Sequence, residues 1–303
     1  MRIAFLGLGH MGLPMANNLA AAGHDVVGFD VFQGARDAAA GGGLAVAESG
    51  SAAVTTASAD IVITMFQTGA QVLDAYRGVD GADGLLAVAA PGTLFIDSST
   101  IAVDDARVAH ELAEASGHRS LDAPVSGGVV GAENATLAFM VGGTEEDFEA
   151  ARPVLEAMGR RIVHCGGAGL GQAAKVCNNM ILAVSQIAVA EAFVLGERLG
   201  LSHQALFDVA SNASGQCWAL TTNCPVPGPV PTSPANRDYQ PGFAGALMSK
   251  DLGLAEHAIV STGVEARMGM LAREIYRAYS DGPGAGQDFS GIINTIRDES
   301  VRS

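Results

Sequence analysis

A parallel α/β sheet in the first half, followed by an all-helical second half, is the fold class this 303-residue sequence predicts. Three observations predict it. An apolar strand over residues 2–6 runs straight into Gly7-Leu8-Gly9-His10-Met11-Gly12, and a helical pattern continues from Pro14. Further short apolar runs over 60–66 and 93–100 alternate with helical stretches, the rhythm of βαβ units. After 161–165 the strand pattern stops, and residues 172–199 read as one long, largely apolar helix. The expected architecture is a Rossmann-type nucleotide-binding domain over 1–165 and an all-α substrate and oligomerisation domain over 166–303, joined by a long interdomain helix.

Taken in order, the first strand and its glycines carry the most information, because their context is complete. The strand precedes Gly-x-Gly-x-x-Gly, the helix follows it, and a second strand over 25–30 ends in Asp30, eighteen residues after Gly12. In this arrangement Gly7 permits the tight turn, Gly9 lets a pyrophosphate approach the backbone and Gly12 lets the helix pack close. Leu8, His10 and Met11 complete the loop, His10 contributing no more than a backbone N–H. Asp30 is expected to accept both hydroxyls of an adenosine ribose and to repel a 2′-phosphate. The nearest following basic residue, Arg36, is six positions on, so NAD is favoured over NADP. Ligands of such sheets bind beyond the carboxyl ends of the strands, which nominates Met65, Phe66 and Thr100 as cofactor wall, although each is also an ordinary core or capping residue type.

Next comes Leu121-Asp122-Ala123-Pro124-Val125-Ser126-Gly127-Gly128. Ser126, Gly127 and Gly128 offer one hydroxyl and adjacent backbone donors to an anion, and the same residues also suit a plain turn. In the second half, shorter helices are expected over 202–212, 248–261 and 265–280. The segment 224–234 is too rich in proline for helix or central strand and is expected to be an irregular loop. Trp218 and Phe243 flank it, as pocket lining or as core.

Only two lysines, Lys175 and Lys250, stand among 17 basic residues. Lysine differs from arginine in having a removable proton, so a chain that otherwise uses Arg makes both lysines candidates for proton transfer, the alternative being chance positions on a solvated face. Lys175 enters the long helical run, and Asn179 lies four residues on, on the same helix face, with Cys177 directed elsewhere. Lys250 opens another helical pattern, where Asp251 and Glu256 offer simple neutralisation.

Composition bounds the rest. Hydrophobic residues make up 49% and charged residues 16%, and the formal net charge is −15. That is a compact chain, and it lacks the basic face that nucleic acid requires. An anionic ligand must be held by helix N-termini, backbone N–H groups and a few placed cations. Four cysteines form no CxxC pair and seven histidines no HExxH, so no metal site is expected and the thiols are expected to be reduced. With no apparent membrane span and a strand beginning at once after Met1, the expected compartment is the cytoplasm.

These blocks together resemble the β-hydroxyacid dehydrogenases, over essentially the whole length. The resemblance rests on the glycine loop, Asp97-Ser98-Ser99-Thr100, Asp122 through Gly128, Gly171 through Asn179, and Lys250 through Ala255. Ser214 through Trp218, Asn223 through Gly228 and Tyr239 through Phe243 resemble the hydroxyisobutyrate branch in particular. The resemblance implies NAD-dependent, reversible oxidation of 3-hydroxyisobutyrate to methylmalonate semialdehyde, a reaction of valine catabolism. It implies that Lys175 is the catalytic base and acid, that Asn179 helps place the substrate, that Ser126, Gly127 and Gly128 hold its carboxylate, and that Lys250 lies near the nicotinamide. A self-associating enzyme, dimer or tetramer, is expected. Reduction of tartronate or succinic semialdehyde is the related alternative, and a non-catalytic nucleotide-binding scaffold the alternative of another class. The chain departs from the family at Phe66-Gln67, where Leu-Pro is usual, at Gln71, where an asparagine is usual, and in a short insertion around Gly78-Val79-Asp80-Gly81.

Overall fold

The computed structural model describes residues 1–79, 81 and 83–302; Asp80, within the expected insertion, lies outside the described residues. The chain divides into two compact units, Met1–Lys175 and Val176–Ser303.

In the first unit the strands are β1 (Arg2–Leu6), β2 (Asp25–Phe29), β3 (Ala45–Val46), β4 (Ile61–Thr64), β5 (Leu94–Asp97), β6 (Arg119–Asp122), β7 (Val125–Ser126), β8 (Leu137–Gly142) and β9 (Gly159–Gly166). The helices are α1 (Gly12–Ala21), α2 (Gln33–Gly41), α3 (Gly50–Ala57), α4 (Gly69–Arg77), α5 (Leu85–Val88), α6 (Val103–Ala115), α7 (Gly128–Glu133) and α8 (Glu145–Glu156). The sheet order is β3-β2-β1-β4-β5-β6-β8-β7, with β9 beside β8. From β3 to β6 every pairing is parallel, as sequence reading expects, and the strand order is that of a nucleotide-binding sheet. Beyond β6 the sheet departs from that expectation, because β8 pairs antiparallel with β6 and β7. The chain returns after Asp122 through the short β7 and α7, and β7 pairs antiparallel with β8.

The inner parallel strands β1, β4 and β5 are buried on both faces, and their alternation sorts the core into two layers. Ile3 and Phe5 pack with Met15, Leu19 and Phe139, whereas Ala4 and Leu6 pack with Val62, Tyr76 and Phe95. Helix starts are written locally where the sequence allows. Ser49 accepts from Ala52 N–H at 3.0 Å and Thr144 from Asp147 N–H at 3.1 Å. Gln71, the residue that departs from the family, folds back in a capping box with Thr68 and accepts from Gln67 and Thr68 N–H at 3.0 and 3.2 Å.

The long helix α9 (Leu170–Arg198) begins two residues before its expected start. The expected domain boundary near 165 falls ten residues before the division between the units, because the first turn of α9 is hydrogen-bonded to strand ends of the first unit. No uninterrupted apolar run in α9 reaches 18 residues, as the sequence reading expects, although the helix is long and apolar enough on average to cross a bilayer by length and composition. Isolated Gln and Asn interrupt its apolar run without lowering the average much, and half of its most apolar window is buried inside the protein.

The second unit continues with α10 (His203–Ala210), α11 (Trp218–Thr221), α12 (Gly245–Thr262), α13 (Arg267–Ser280) and α14 (Ile292–Arg302). Its core gathers Phe193, Leu220, Met248, Tyr276, Phe289 and Ile293. The segment 224–234 is irregular, as expected, but it is not a loose loop. Cys224 and Val226 are fully buried, Asn236 donates to the Val230 carbonyl at 2.9 Å and accepts from Gly228 N–H at 2.9 Å, and Tyr239 hydroxyl donates to the Pro225 carbonyl at 2.9 Å.

Candidate active site

In the first unit the expected cofactor residues converge on the carboxyl ends of β1, β2 and β4. Gly7 has φ +97°, a value open to glycine, and a Cβ there would overlap the Met65 carbonyl. A Cβ at Gly12 would overlap the Gly7 carbonyl oxygen, which is what lets α1 start against the loop. At Gly9, by contrast, a Cβ would meet nothing within 4 Å. Helix α1 has no side-chain cap and no acid in its first turn, so its N–H groups and dipole are left for an anion. Space over Gly9, a bare helix start and an acid at the end of β2 together fit a dinucleotide.

Asp30 is buried and uses both oxygens: Oδ2 accepts from Leu8 N–H and Oδ1 from Phe32 N–H, each at 2.8 Å. It therefore fixes the glycine loop, and each oxygen keeps a lone pair for a ribose hydroxyl. Arg36 turns back to donate to the Asp30 and Val31 carbonyls at 2.5 and 3.1 Å. His10 is exposed and Met11 half-buried.

Met65, Phe66 and Thr100 are each partly buried at the ends of β4 and β5. Asp97, named in sequence reading only within the Asp97-Ser98-Ser99-Thr100 block, supports this wall at Phe66. Its Oδ1 accepts from the Thr64 hydroxyl at 2.8 Å and the Ser99 hydroxyl at 2.6 Å, and Ser99 Oγ in turn accepts from Phe66 N–H at 2.8 Å. Burial pushes the Asp97 carboxyl up to about 6, against the lowering effect of these donors. An acid following a strand beside a Ser-Ser pair was the available signal.

Ser126 ends β7 half-buried, and Gly127 and Gly128 follow with φ +134° and +62°. Two successive glycines at positive φ lead into α7, which has no side-chain cap. Lys175, 7% exposed, sits on α9 one turn after Gln172. Gln172 is fully buried, donating to the Ser99 carbonyl at 2.7 Å and accepting from Ile101 N–H at 3.2 Å.

In the second unit Asn179 is buried on the same helix, four residues after Lys175, while Cys177 is exposed, as the spacing predicts. Asn179 donates to Asp251 Oδ2 at 2.6 Å, and Lys250 Nζ stands 3.6 Å from Asp251 Oδ1. Asp251, read from sequence only as a neutralising charge, thus orients the amide as well. Phe243 packs edge-on to Phe289 with centroids 5.7 Å apart, and its N–H donates to the buried Asp288 at 3.1 Å. Trp218 is 50% exposed, so it is not core. Among the described residues no group of three or more His, Cys, Asp or Glu is placed to hold a metal, and the four cysteines are free thiols.

Residues 2–167 match the model of the NAD-binding domain of 6-phosphogluconate dehydrogenase, and residues 169–296 match the model described as NAD-binding of NADP-dependent 3-hydroxyisobutyrate dehydrogenase. The solved structure of 3-hydroxyisobutyrate dehydrogenase from Mycobacterium tuberculosis with L-serine is 60% identical with TM-score 0.91, covering 97% of this chain and 98% of that one. The human mitochondrial 3-hydroxyisobutyrate dehydrogenase is 44% identical across 98% of this chain and 87% of its own length. An NAD-dependent L-serine dehydrogenase from Pseudomonas aeruginosa is 48% identical across 96% of both chains. With the parallel sheet, the open glycine loop and the buried lysine in place, the chain belongs to the 3-hydroxyisobutyrate dehydrogenase family of NAD-binding oxidoreductases that act on a CH–OH group.

Proposed function

We propose that the protein oxidises 3-hydroxyisobutyrate reversibly to methylmalonate semialdehyde with NAD, Lys175 being the general base and, in reverse, the general acid. The observation that carries this reading is a buried lysine, one of only two in the chain, on a helix that starts from the carboxyl ends of a dinucleotide-binding sheet. Gly7, Leu8, Gly9, His10, Met11 and Gly12 hold the pyrophosphate on backbone N–H groups, Asp30 takes the adenosine ribose, and Met65, Phe66, Thr100 and Lys250 wall the nicotinamide end. Bound NAD⁺ supplies the two-electron acceptor for the carbinol hydrogen. Lys175 takes the hydroxyl proton as the carbonyl forms, which requires that its pKa lie below the free value of about 10.4. Ser126, Gly127 and Gly128 bind the carboxylate, Asn179 aligns the hydroxyl, and Trp218 and Phe243 give the methyl group an apolar surface.

Asp30 favours NAD over NADP, since its charge opposes a 2′-phosphate. Residues 1–165 act as the nucleotide domain, and 166–303 as the substrate and oligomerisation domain of a cytoplasmic homodimer or homotetramer. The four free thiols agree with a reducing compartment.

L-serine is a second candidate substrate, favoured by the serine-named relative and by the serine in the mycobacterial structure. Both compounds carry a carboxylate and a primary hydroxyl on the β-carbon, and they differ in a methyl against an ammonium. NADH formation measured with each compound and each cofactor tests the reading. The expected order of kcat/KM is hydroxyisobutyrate with NAD first, and no turnover with any short β-hydroxyacid would sink it.

A further inference from the structure

Helix α9 enters from Gly166-Gly167-Ala168-Gly169, a stretch with no Ser, Thr, Asp or Asn to satisfy the free N–H groups of its first turn. The acceptors come from far upstream. Asp122, at the end of β6 and 1% exposed, accepts from Gly169 N–H through Oδ1 and from Gln172 N–H through Oδ2, both at 2.8 Å. His110 Nε2 stands 3.0 Å from the same Oδ1 and steadies the carboxylate from α6. Gln172 adds a second tether, to Ser99 and Ile101 at the end of β5. The contact is close, since a Cβ on Gly171 would overlap the Met140 carbonyl and come within 2.7 Å of the Asp122 carbonyl oxygen. Lys175 is three residues beyond Gln172, on the next turn.

We propose that Asp122, oriented by His110, and Gln172 are positioning residues that fix the first turn of α9 on the ends of β5 and β6 and thereby set where the Lys175 amine meets the substrate hydroxyl. The proposal rests on the reading of Lys175 as the proton carrier. None of the three touches the reacting atoms. Their effect is geometric: an uncapped first turn frays, and a lysine carried on a frayed turn samples positions away from the hydroxyl. Misplacement of a reacting group by 1 Å costs on the order of 100-fold in rate.

Asp122→Asn keeps the side chain's size but sets an amide donor against one of the two N–H groups. The expected result is NAD binding at full stoichiometry and a kcat lower by about 10- to 100-fold, with KM for the hydroxyacid changed by less than about threefold. Amide hydrogen exchange at Gly169 and Gln172 in the cofactor-free protein is expected to accelerate, and the solvent deuterium isotope effect on kcat to grow as proton transfer becomes slower. A variant that keeps kcat within about twofold at full NAD stoichiometry overturns the proposal. If Asp122→Asn does not fold, Gln172→Met, which removes only the tether to β5, is judged by the same criteria. Lys175→Arg separates the two readings: if it retains turnover, the role of Lys175 itself fails, whereas an inactive Lys175→Arg beside a fully active Asp122→Asn removes only the positioning role.

Discussion

Two glycine-rich loops in the first unit lead into helices, and they end in opposite states. The loop before α1 delivers a helix start with no side-chain cap, no acid in its first turn and open space over Gly9. The loop before α9 delivers a helix start filled by the Asp122 carboxylate and clamped again through Gln172. Glycine in both places permits close backbone approach, so the residue type does not say what approaches. An open start suits a phosphate, and a closed one makes a rigid mount for the side chain one turn further on.

The comparison is broken most severely by losing the side chain that the closed start carries. Lys175→Arg preserves the charge but not the exchangeable proton, and steady-state assays should show kcat lower by about 10²- to 10⁴-fold with NAD binding intact. At the open start, Gly12→Ala drives a methyl into the Gly7 carbonyl. Titration should find NAD affinity reduced tenfold or more, and denaturant unfolding a loss of about 1–3 kcal/mol, the usual cost of overpacking. Closing the open start artificially gives a smaller effect. His10→Asp places an acid beside the first turn of α1, which should raise the melting temperature slightly while weakening NAD by roughly two- to fivefold, the scale of a helix-terminus charge. Unchanged affinity in that variant would mean the α1 terminus does not face the phosphates.

The smallest effect is a pH slope at Asp97, which pairs in register with Asp122 at the neighbouring strand end. Burial raises the Asp97 carboxyl from 3.8 to about 6, with the charge of Asp122 a lesser contributor. Because the folded value lies above the unfolded one, the contribution of Asp97 to stability is fully present below about pH 4 and is lost as the pH rises through about 6. Asp97→Asn has no such ionisation. Urea midpoints of variant and parent, measured from pH 4 to 7, should therefore move in the variant's favour as the pH rises, and the opposite slope would refute the assignment.

Much of the first unit was legible because its signals are local. The strand, the glycine spacing and Asp30 fall within 30 residues, and the apolar runs marked the parallel strands. The antiparallel β8 was not, since strand direction depends on how the chain returns after Asp122. Lys175 and Asn179 stood out by scarcity and by helical spacing, but the groups that hold them did not. Asp122, Gln172, Asp97 and Asp251 act through partners 33 to 73 residues away, and no periodicity reports a hydrogen bond of that span. In the second unit α14 escaped notice because its sequence, Ile-Ile-Asn-Thr-Ile-Arg-Asp-Glu-Ser-Val-Arg, is mostly polar. The family departure at Gln71 resolved into a local matter, a helix start capped by its own side chain.

The distance along the chain between Asp122 and the turn it caps has a consequence for how the enzyme is assembled. A helix start without local caps nucleates poorly, so the segment around Gly169 gains its acceptors only after β6 has joined the sheet. On the proposed role of Lys175, a nascent or partly unfolded chain would carry its proton carrier on an unformed turn. Under that reading, competence for proton transfer would arrive with the completed sheet rather than with the helix alone.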